Sequence, residues 1–401
     1  MMRLRAGFIT TSFPLWPGST SGPFIAQLVR ELAQYADITV LTPCTNRPIE
    51  IEHSGFETRC FRYAPRQWQI LAHLPGGVPA ALRNHRLAWL LLPGFFLSLF
   101  VAVWRLSRHV DVLHANWSVT GALAGLIGLF SGTPVITTLR GEDFNRARHS
   151  GLYRRLLDLC LRFSRKVTVV GEAMHQNLVT SNSATSAKIV FLPNGVSETF
   201  IAIPPLPACP EDAEAIELLY LGNLISSKGV DVLLKACAEI RDQERWVLHV
   251  VGAGPESEPL QTLTTALELP DRVRFAGSIP PERIPELLAR STVLILPSYR
   301  EGRSNAVLEG MASGRVVIAS DIPGVRELIR HGENGFLFKV GDPVELARIL
   351  RSVLENSERR RRLGAAARQW VIEQNLTWPA TARRYVEIYR EASARHAGNR
   401  S

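Results

Sequence analysis

The chain has 401 residues, 46% of them apolar and 21% charged, enough to bury two ordinary cores and too little charge for a disordered chain. Lys plus Arg exceed Asp plus Glu by 46 − 37 = 9, and the excess lies in the first half: 20 basic against 11 acidic residues in 1–200, and 26 against 26 afterwards. Such an excess fits an anionic membrane, a phosphorylated or phospholipid-linked substrate, or a plain solvated surface, and its spread over many elements argues against nucleic acid.

In chain order, short apolar runs alternate with helix-length amphipathic segments. The first half offers Leu4 to Ile9, Ile38 to Leu41, Val110 to Leu113, Val135 to Leu139, Val167 to Val170 and Ile189 to Leu192. That alternation predicts a parallel α/β sheet. The basic start, Met1-Met2-Arg3-Leu4-Arg5, is followed by too short an apolar run for a signal sequence and reads as the first strand. Leu87 to Trp104 lacks a charged residue, and Pro93-Gly94 interrupts it. As a helix it would reach roughly 27 Å against a bilayer core of about 30 Å. It reads as a buried helix, or as one dipping into the membrane interface with Arg83, His85, Arg86, Arg105 and Arg108 on lipid phosphates, rather than as a span. Ile201 to Ala215, with Pro204, Pro205, Pro207 and Pro210, reads as a linker. A second set of runs follows: Leu218 to Leu221, Trp246 to Val251, Val273 to Ala276, Val293 to Leu296, Val316 to Ala319 and Phe336 to Phe338. Two doubly wound domains are therefore expected, with ligands at the carboxyl ends of the strands. The tail holds Arg359 to Arg362, the solvated face of a helix, and a last amphipathic helix from Trp378 to Ala394. Cys44, Cys60, Cys160, Cys209 and Cys237 form no Cys-x-x-Cys pair and indicate a reduced, cytosolic compartment.

The window Arg300 to Gly310 carries most of the chemistry. Val293 to Ser298 reads as a buried strand ended by Pro297, and Ser304 as the N-cap of the next helix. Glu301 then lies on the loop and Glu309 in the helix, with the free amides of Asn305, Ala306 and Val307 between them. Free amides at a helix start favour an anion. Two carboxylates beside an anion site need partners other than that anion, and sugar hydroxyls serve. A nucleotide sugar has all three parts.

Further signatures lie around that window: Gly222-Asn223-Leu224-Ile225-Ser226-Ser227-Lys228-Gly229, Val251-Gly252-Ala253-Gly254-Pro255 and Phe275-Ala276-Gly277-Ser278-Ile279-Pro280. The first half offers Ser12-Phe13-Pro14 to Ser21-Gly22-Pro23-Phe24, His114-Ala115-Asn116-Trp117, Thr138 to Asp143, and Pro193-Asn194-Gly195-Val196-Ser197. Over nearly its whole length the chain resembles the retaining family 4 glycosyltransferases, whose GT-B fold sets two Rossmann-like doubly wound domains face to face across a cleft. The resemblance implies that Lys228 clamps the donor diphosphate, with Asn223 where an arginine is more often found and Arg303 or Arg140 as substitutes for the missing charge. It implies that Ile279 lies in the loop that reads the base, Glu301 on the donor sugar and Glu309 on the ribose hydroxyls. Ser304, Asn305, Ala306 and the backbone at Gly22 complete the donor set. Arg140 stands where many relatives have histidine; a guanidinium cannot act as general base but can hold a phosphate or anionic acceptor. His114, Asn116 and Arg140 are the acceptor-side candidates, His114 being equally readable as a core histidine, and Ser197 replaces the usual aspartate in a loop of structural role.

Glu301, Lys228 and Arg140 are thus the expected catalytic residues, without metal or cofactor beyond the donor. The expected division is 1–200 for the acceptor, 201–375 for the donor, and 376–401 as a helix crossing back. The expected partners are a nucleotide sugar, a lipid-linked or glycan acceptor and the inner membrane surface, with no nucleic acid; the expected place is the cytoplasm, peripheral on the membrane. A sugar-nucleotide sensor, an epimerase or a phosphorylase on the same fold stays open. A dinucleotide oxidoreductase would want Gly-x-Gly-x-x-Gly after the first strand, which Gly7 to Gly22 does not supply.

Overall fold

The structure is a computed structural model that describes residues 3–19, 21–49, 55–73, 77–181, 183–206, 215–243 and 246–397. It divides into two compact units, Met1–Gly195 with Trp378–Ser401, and Val196–Thr377. The linker prolines Pro207 and Pro210 lie outside the described residues. Pro204 belongs to the second unit, its carbonyl accepting from Arg315 Nη2.

The first unit is built on strands β1 (Arg5–Ile9), β2 (Asp37–Pro43), β3 (Glu57–Phe61), β4 (Val112–Asn116), β5 (Val135–Leu139), β6 (Lys166–Val169) and β7 (Ile189–Phe191). All pair in parallel, in the order β3-β2-β1-β4-β5-β6-β7. Central strands such as β4 and β5 are buried throughout, as helices on both faces of a parallel sheet require. β3 is an edge strand that the apolar pattern does not announce. Glu57-Thr58-Arg59-Cys60-Phe61 alternates and is half exposed, because an edge strand needs only one apolar face. β4 begins and ends later than the Val110 to Leu113 run, so His114 and Asn116 are strand residues.

Pro93 begins a helix rather than interrupting one. It sits in the first turn of Leu92–Ser107, where its missing N–H would have had no partner. The C-terminal helix Trp378–Ala397 packs on the Pro23–Leu32 helix of the first unit. Tyr385 and Tyr389 enter the same core as Ile25, Leu28 and Leu32, and Trp378 Nε1 donates to Gln27 Oε1 at 2.6 Å.

The second unit holds β8 (Ile216–Leu221), β9 (Trp246–Val251), β10 (Val273–Gly277), β11 (Val293–Leu296), β12 (Val316–Ser320) and β13 (Phe336–Phe338). They too are all parallel, in the order β10-β9-β8-β11-β12-β13. Each sheet therefore reverses its winding once, between β1 and β4 and between β8 and β11. A crevice opens at such a switch point beyond the strand carboxyl ends, and ligands bind there. The loops that leave β1, β4, β8 and β11 are the ones that hold Gly22, Trp117, Lys228 and Glu301.

Candidate functional site

At the switch point of the second unit the loops after β8 and β11 are stitched together. Tyr299 N donates to Ser227 O at 3.0 Å. Gly229, at φ 64°, lies so close to Pro297 that a Cβ would meet its carbonyl oxygen at 2.2 Å. Through this close approach Lys228 Nζ comes to 2.5 Å from Glu301 Oε1. Ser298 Oγ donates to the same oxygen at 2.8 Å, a partner the spacing did not reveal. The pair is largely shielded, with side chains 21% and 13% exposed. This explains how a lysine is tolerated close to the start of the Val230–Ala238 helix, where the helix dipole disfavours it.

Ser304 caps the helix Asn305–Ala312, its hydroxyl accepting from Val307 N at 3.4 Å. Asn305 and Ala306 form the start of that helix's first turn. Glu309 stands one turn further, recessed, with no side-chain partner among the described residues; burial pushes its carboxyl up to about 8. Arg303 points into the protein, its Nε 3.6 Å from Glu327 Oε2 with side chains 5% and 8% exposed. Its charge is therefore engaged inside the unit and anchors the loop between the two glutamates. The same loop is braced by Gly324, where a Cβ would meet Gly302 O at 2.3 Å and Glu301 O at 2.8 Å.

Asn223 is exposed, and its carbonyl accepts from Tyr220 Oη at 2.9 Å. The glycines of the turn after β9 are needed for close packing on this loop. A Cβ on Gly252 would lie 1.8 Å from Gly222 O, and one on Gly254 2.1 Å from Leu224 O. Ile279 is half-buried against the core beneath β11 and β12.

At the switch point of the first unit, Gly22 takes φ 66° and precedes the Pro23–Leu32 helix. A Cβ there would meet Ser12 O at 2.6 Å, so only glycine fits. Arg140 is held by neutral groups. Asn116 Oδ1 accepts from its Nε at 3.1 Å and its Nη2 at 2.9 Å. Asn194 Oδ1 accepts from Nη1 at 3.1 Å, and the Phe24 ring lies 4.8 Å below the guanidinium. Asp143 takes Arg140 N at 3.1 Å and Ser118 Oγ at 2.8 Å. No carboxylate comes within ion-pair distance of the guanidinium among the described residues, and burial lowers its pKa. A shielded cation surrounded by amide oxygens is suited to an incoming anion. The contacts of Asn194 with Arg140 and of Asp143 with Ser118 are not readable from sequence spacing; strand ends brought together from distant positions create them.

His114 has to be removed from the acceptor-side set. It is 0% exposed, its Nδ1 2.5 Å from Tyr389 Oη and its Nε2 2.7 Å from Thr138 Oγ1. Burial holds its pKa well below 6.5. It is a neutral core histidine that ties β4 to the C-terminal helix. Asn116 is equally buried; its Nδ2 donates to Ile9 O at 3.2 Å across the switch point while its oxygen carries Arg140. It positions that arginine.

Two Rossmann-like parallel sheets, each with its polar loops gathered at the switch point, define the GT-B class of α/β proteins. Sucrose-phosphate synthase from Thermosynechococcus elongatus shares the fold, with a TM-score of 0.78 at 21% identity over 98% of this chain and 100% of that one. HepE from Anabaena, solved with UDP, gives 0.75 at 18% identity over 97% and 100%. Residues 22–200 match the model of Glycosyltransferase Family 4, and residues 209–370 that of Glycosyl transferases group 1. The chain belongs to the family 4 glycosyltransferases. Among curated relatives, N-acetyl-alpha-D-glucosaminyl L-malate synthase of Bacillus anthracis is 27% identical over 275 residues, 67% of this chain and 71% of that protein. D-inositol 3-phosphate glycosyltransferase of Thermomonospora curvata is 34% identical over 187 residues, 44% of this chain and 43% of the relative, so less than half of that enzyme is matched.

Proposed function

We propose that this glycosyltransferase moves a sugar from a nucleoside diphosphate donor to an acceptor hydroxyl with retention of the anomeric configuration. The observation that carries the reading is the arrangement at the second switch point: a Ser304-capped helix start flanked by Glu301 and Glu309, with Lys228 Nζ 2.5 Å from Glu301. In this reading the first-turn amides and Lys228 take the diphosphate, Glu301 the sugar and Glu309 the ribose hydroxyls, while the Ile279 loop lies against the base. That HepE was solved with UDP and with UDP-glucose supports this class of donor.

Positive charge grows on the sugar ring and negative charge on the leaving diphosphate. Fixed donors aimed at that charge lower the barrier. Lys228 and the helix amides of the second unit are assigned to it, and no metal ion is required. The departing phosphate oxygen takes the acceptor proton on the face where the acceptor attacks, so no separate protein base is needed. The basic first unit is assigned the acceptor, a lipid-linked or polysaccharide intermediate, with the protein peripheral on the cytoplasmic face of the membrane. The test is proton NMR of the product formed from an anomerically pure nucleotide sugar and a lipid-diphosphate acceptor. Retention supports the reading; an inverted anomer, or no release of nucleotide diphosphate with any donor and acceptor tried, overturns it.

A further inference from the structure

The first unit carries an apolar surface that its fold does not require. The most apolar 18-residue stretch of Arg86–Ser107 has a mean hydropathy of 2.1, yet only 22% of it is buried. One face of the Leu92–Ser107 helix does belong to the core: Phe95, Leu99, Val103 and Leu106, spaced four, four and three apart. The opposite face of such a helix is ordinarily polar. Here it presents Leu97, and the turn before it presents Trp89 and Leu90, the last 76% exposed. The Ser118–Ser131 helix packs beside it and ends in the same way, with Leu129 and Phe130 exposed, the latter at 73%.

Charge supplies the second observation. Residues 58–141 contain eight arginines, no lysine and a single carboxylate, Asp111. That carboxylate is already taken by Arg5 at 2.8 Å. Arg83, Arg86, Arg105 and Arg108 are all exposed, and none has a carboxylate within ion-pair distance among the described residues. Arg108 lies 5.1 Å over the Trp104 ring instead. An apolar patch fringed by one sign of charge fits an anionic lipid surface, where acyl chains take the apolar side chains and phosphates the guanidiniums.

We propose that this two-helix face docks on an anionic bilayer, with Trp89, Leu90, Leu97, Leu129 and Phe130 entering the acyl boundary and Arg83, Arg86, Arg105 and Arg108 on lipid phosphates. The helix does not span, because its Phe95 to Leu106 face is committed to the core. The inference rests on the proposed function only in placing the acceptor at a membrane; the docking itself needs neither donor nor acceptor.

The experiment is co-sedimentation of the full chain with phosphatidylcholine vesicles and with vesicles containing phosphatidylglycerol, at low and high salt. Binding to the anionic vesicles, weakened by salt, is expected. Arg83→Gln, Arg86→Gln, Arg105→Gln and Arg108→Gln together lower it by about a hundredfold or more. Leu90→Ser, Leu97→Ser and Phe130→Ser together also lower it, with melting temperature and nucleotide affinity unchanged. Three results overturn the proposal: a parent that stays in solution with both vesicle types, binding indifferent to both sets of substitutions, or a dimer that the serine substitutions dissociate while no vesicle is bound. A parent chain that binds nucleotide but neither vesicle type would sink this inference and leave the transferase reading standing.

Discussion

Lys228 and Glu301, 73 residues apart in sequence, form one ion pair at the switch point of the second sheet. Each sets the position of the other, since the Glu301 oxygen that accepts from Lys228 also accepts from Ser298. Removing one partner therefore strips charge from the site and also releases the survivor.

Lys228→Ala is expected to slow turnover by roughly a hundredfold, equivalent to about 3 kcal/mol of lost transition-state stabilisation. Glu301→Gln keeps the size of the side chain and its Ser298 partner but loses the charge, and should reduce kcat more than nucleotide affinity. Steady-state kinetics of the two single variants and the double variant check this. Effects that multiply as if independent would contradict the pair acting as a unit.

Glu309 gives a pH signature. Burial holds its carboxyl at about 8, so at pH 7 most molecules are protonated there, whereas hydrogen bonds from two ribose hydroxyls favour the carboxylate. Nucleotide affinity should rise as pH goes from 6 to about 8 and level off above, with proton release on binding. Titration calorimetry in buffers of different ionisation enthalpy measures this. The stability sign is the opposite: with the folded pKa raised, the contribution is present below the ordinary carboxylate pKa and is lost as pH climbs through about 8. Glu309→Gln should flatten both dependences.

Gly324 touches no proposed ligand and still bears on catalysis. A methyl group there would be pressed onto Gly302 O at 2.3 Å and Glu301 O at 2.8 Å. Gly324→Ala should displace the loop by a fraction of an ångström to an ångström and cost up to about a hundredfold in kcat/KM. Unchanged kinetics in a folded variant would show that the loop does not position Glu301.

His114→Ala should destabilise the first unit by about 2–4 kcal/mol, because it opens a cavity and leaves Tyr389 and Thr138 without their partner. Nucleotide affinity should stay at the parent value. Since its folded pKa lies well below 6.5, its contribution is full above that pH and is lost progressively as pH falls below it. Urea denaturation at pH 5 and 7.5 compares parent and variant.

Much of this architecture was legible from apolar runs, because strands buried on both faces of a parallel sheet read as short continuous stretches of Val, Ile and Leu. β5, β9, β11 and β13 fall on their runs, and Ser304 caps the helix it was expected to cap. The edge strand β3 was not legible, since half of its residues face solvent. The strand and cap signals placed Glu301 on a loop, but its direct pairing with Lys228 depends on Gly229 letting one loop lie on the other. His114 stayed open between acceptor side and core because a strand-end histidine reads the same whether it faces a crevice or, as here, Tyr389. The resemblance offered Arg303 as a substitute for the clamp charge missing at Asn223; its ion pair with Glu327, from a later helix end, was not readable from the sequence.

The most direct measurement is titration calorimetry at pH 8 of UDP, GDP, ADP and TDP, each also as its glucose conjugate, against the parent chain and Glu309→Ala. Saturable one-to-one binding is expected with one base, weakened by about 1–3 kcal/mol when the charge-assisted ribose bonds are removed. Absence of binding by every nucleotide, or an affinity that Glu309→Ala leaves untouched, would contradict the donor site described for this chain.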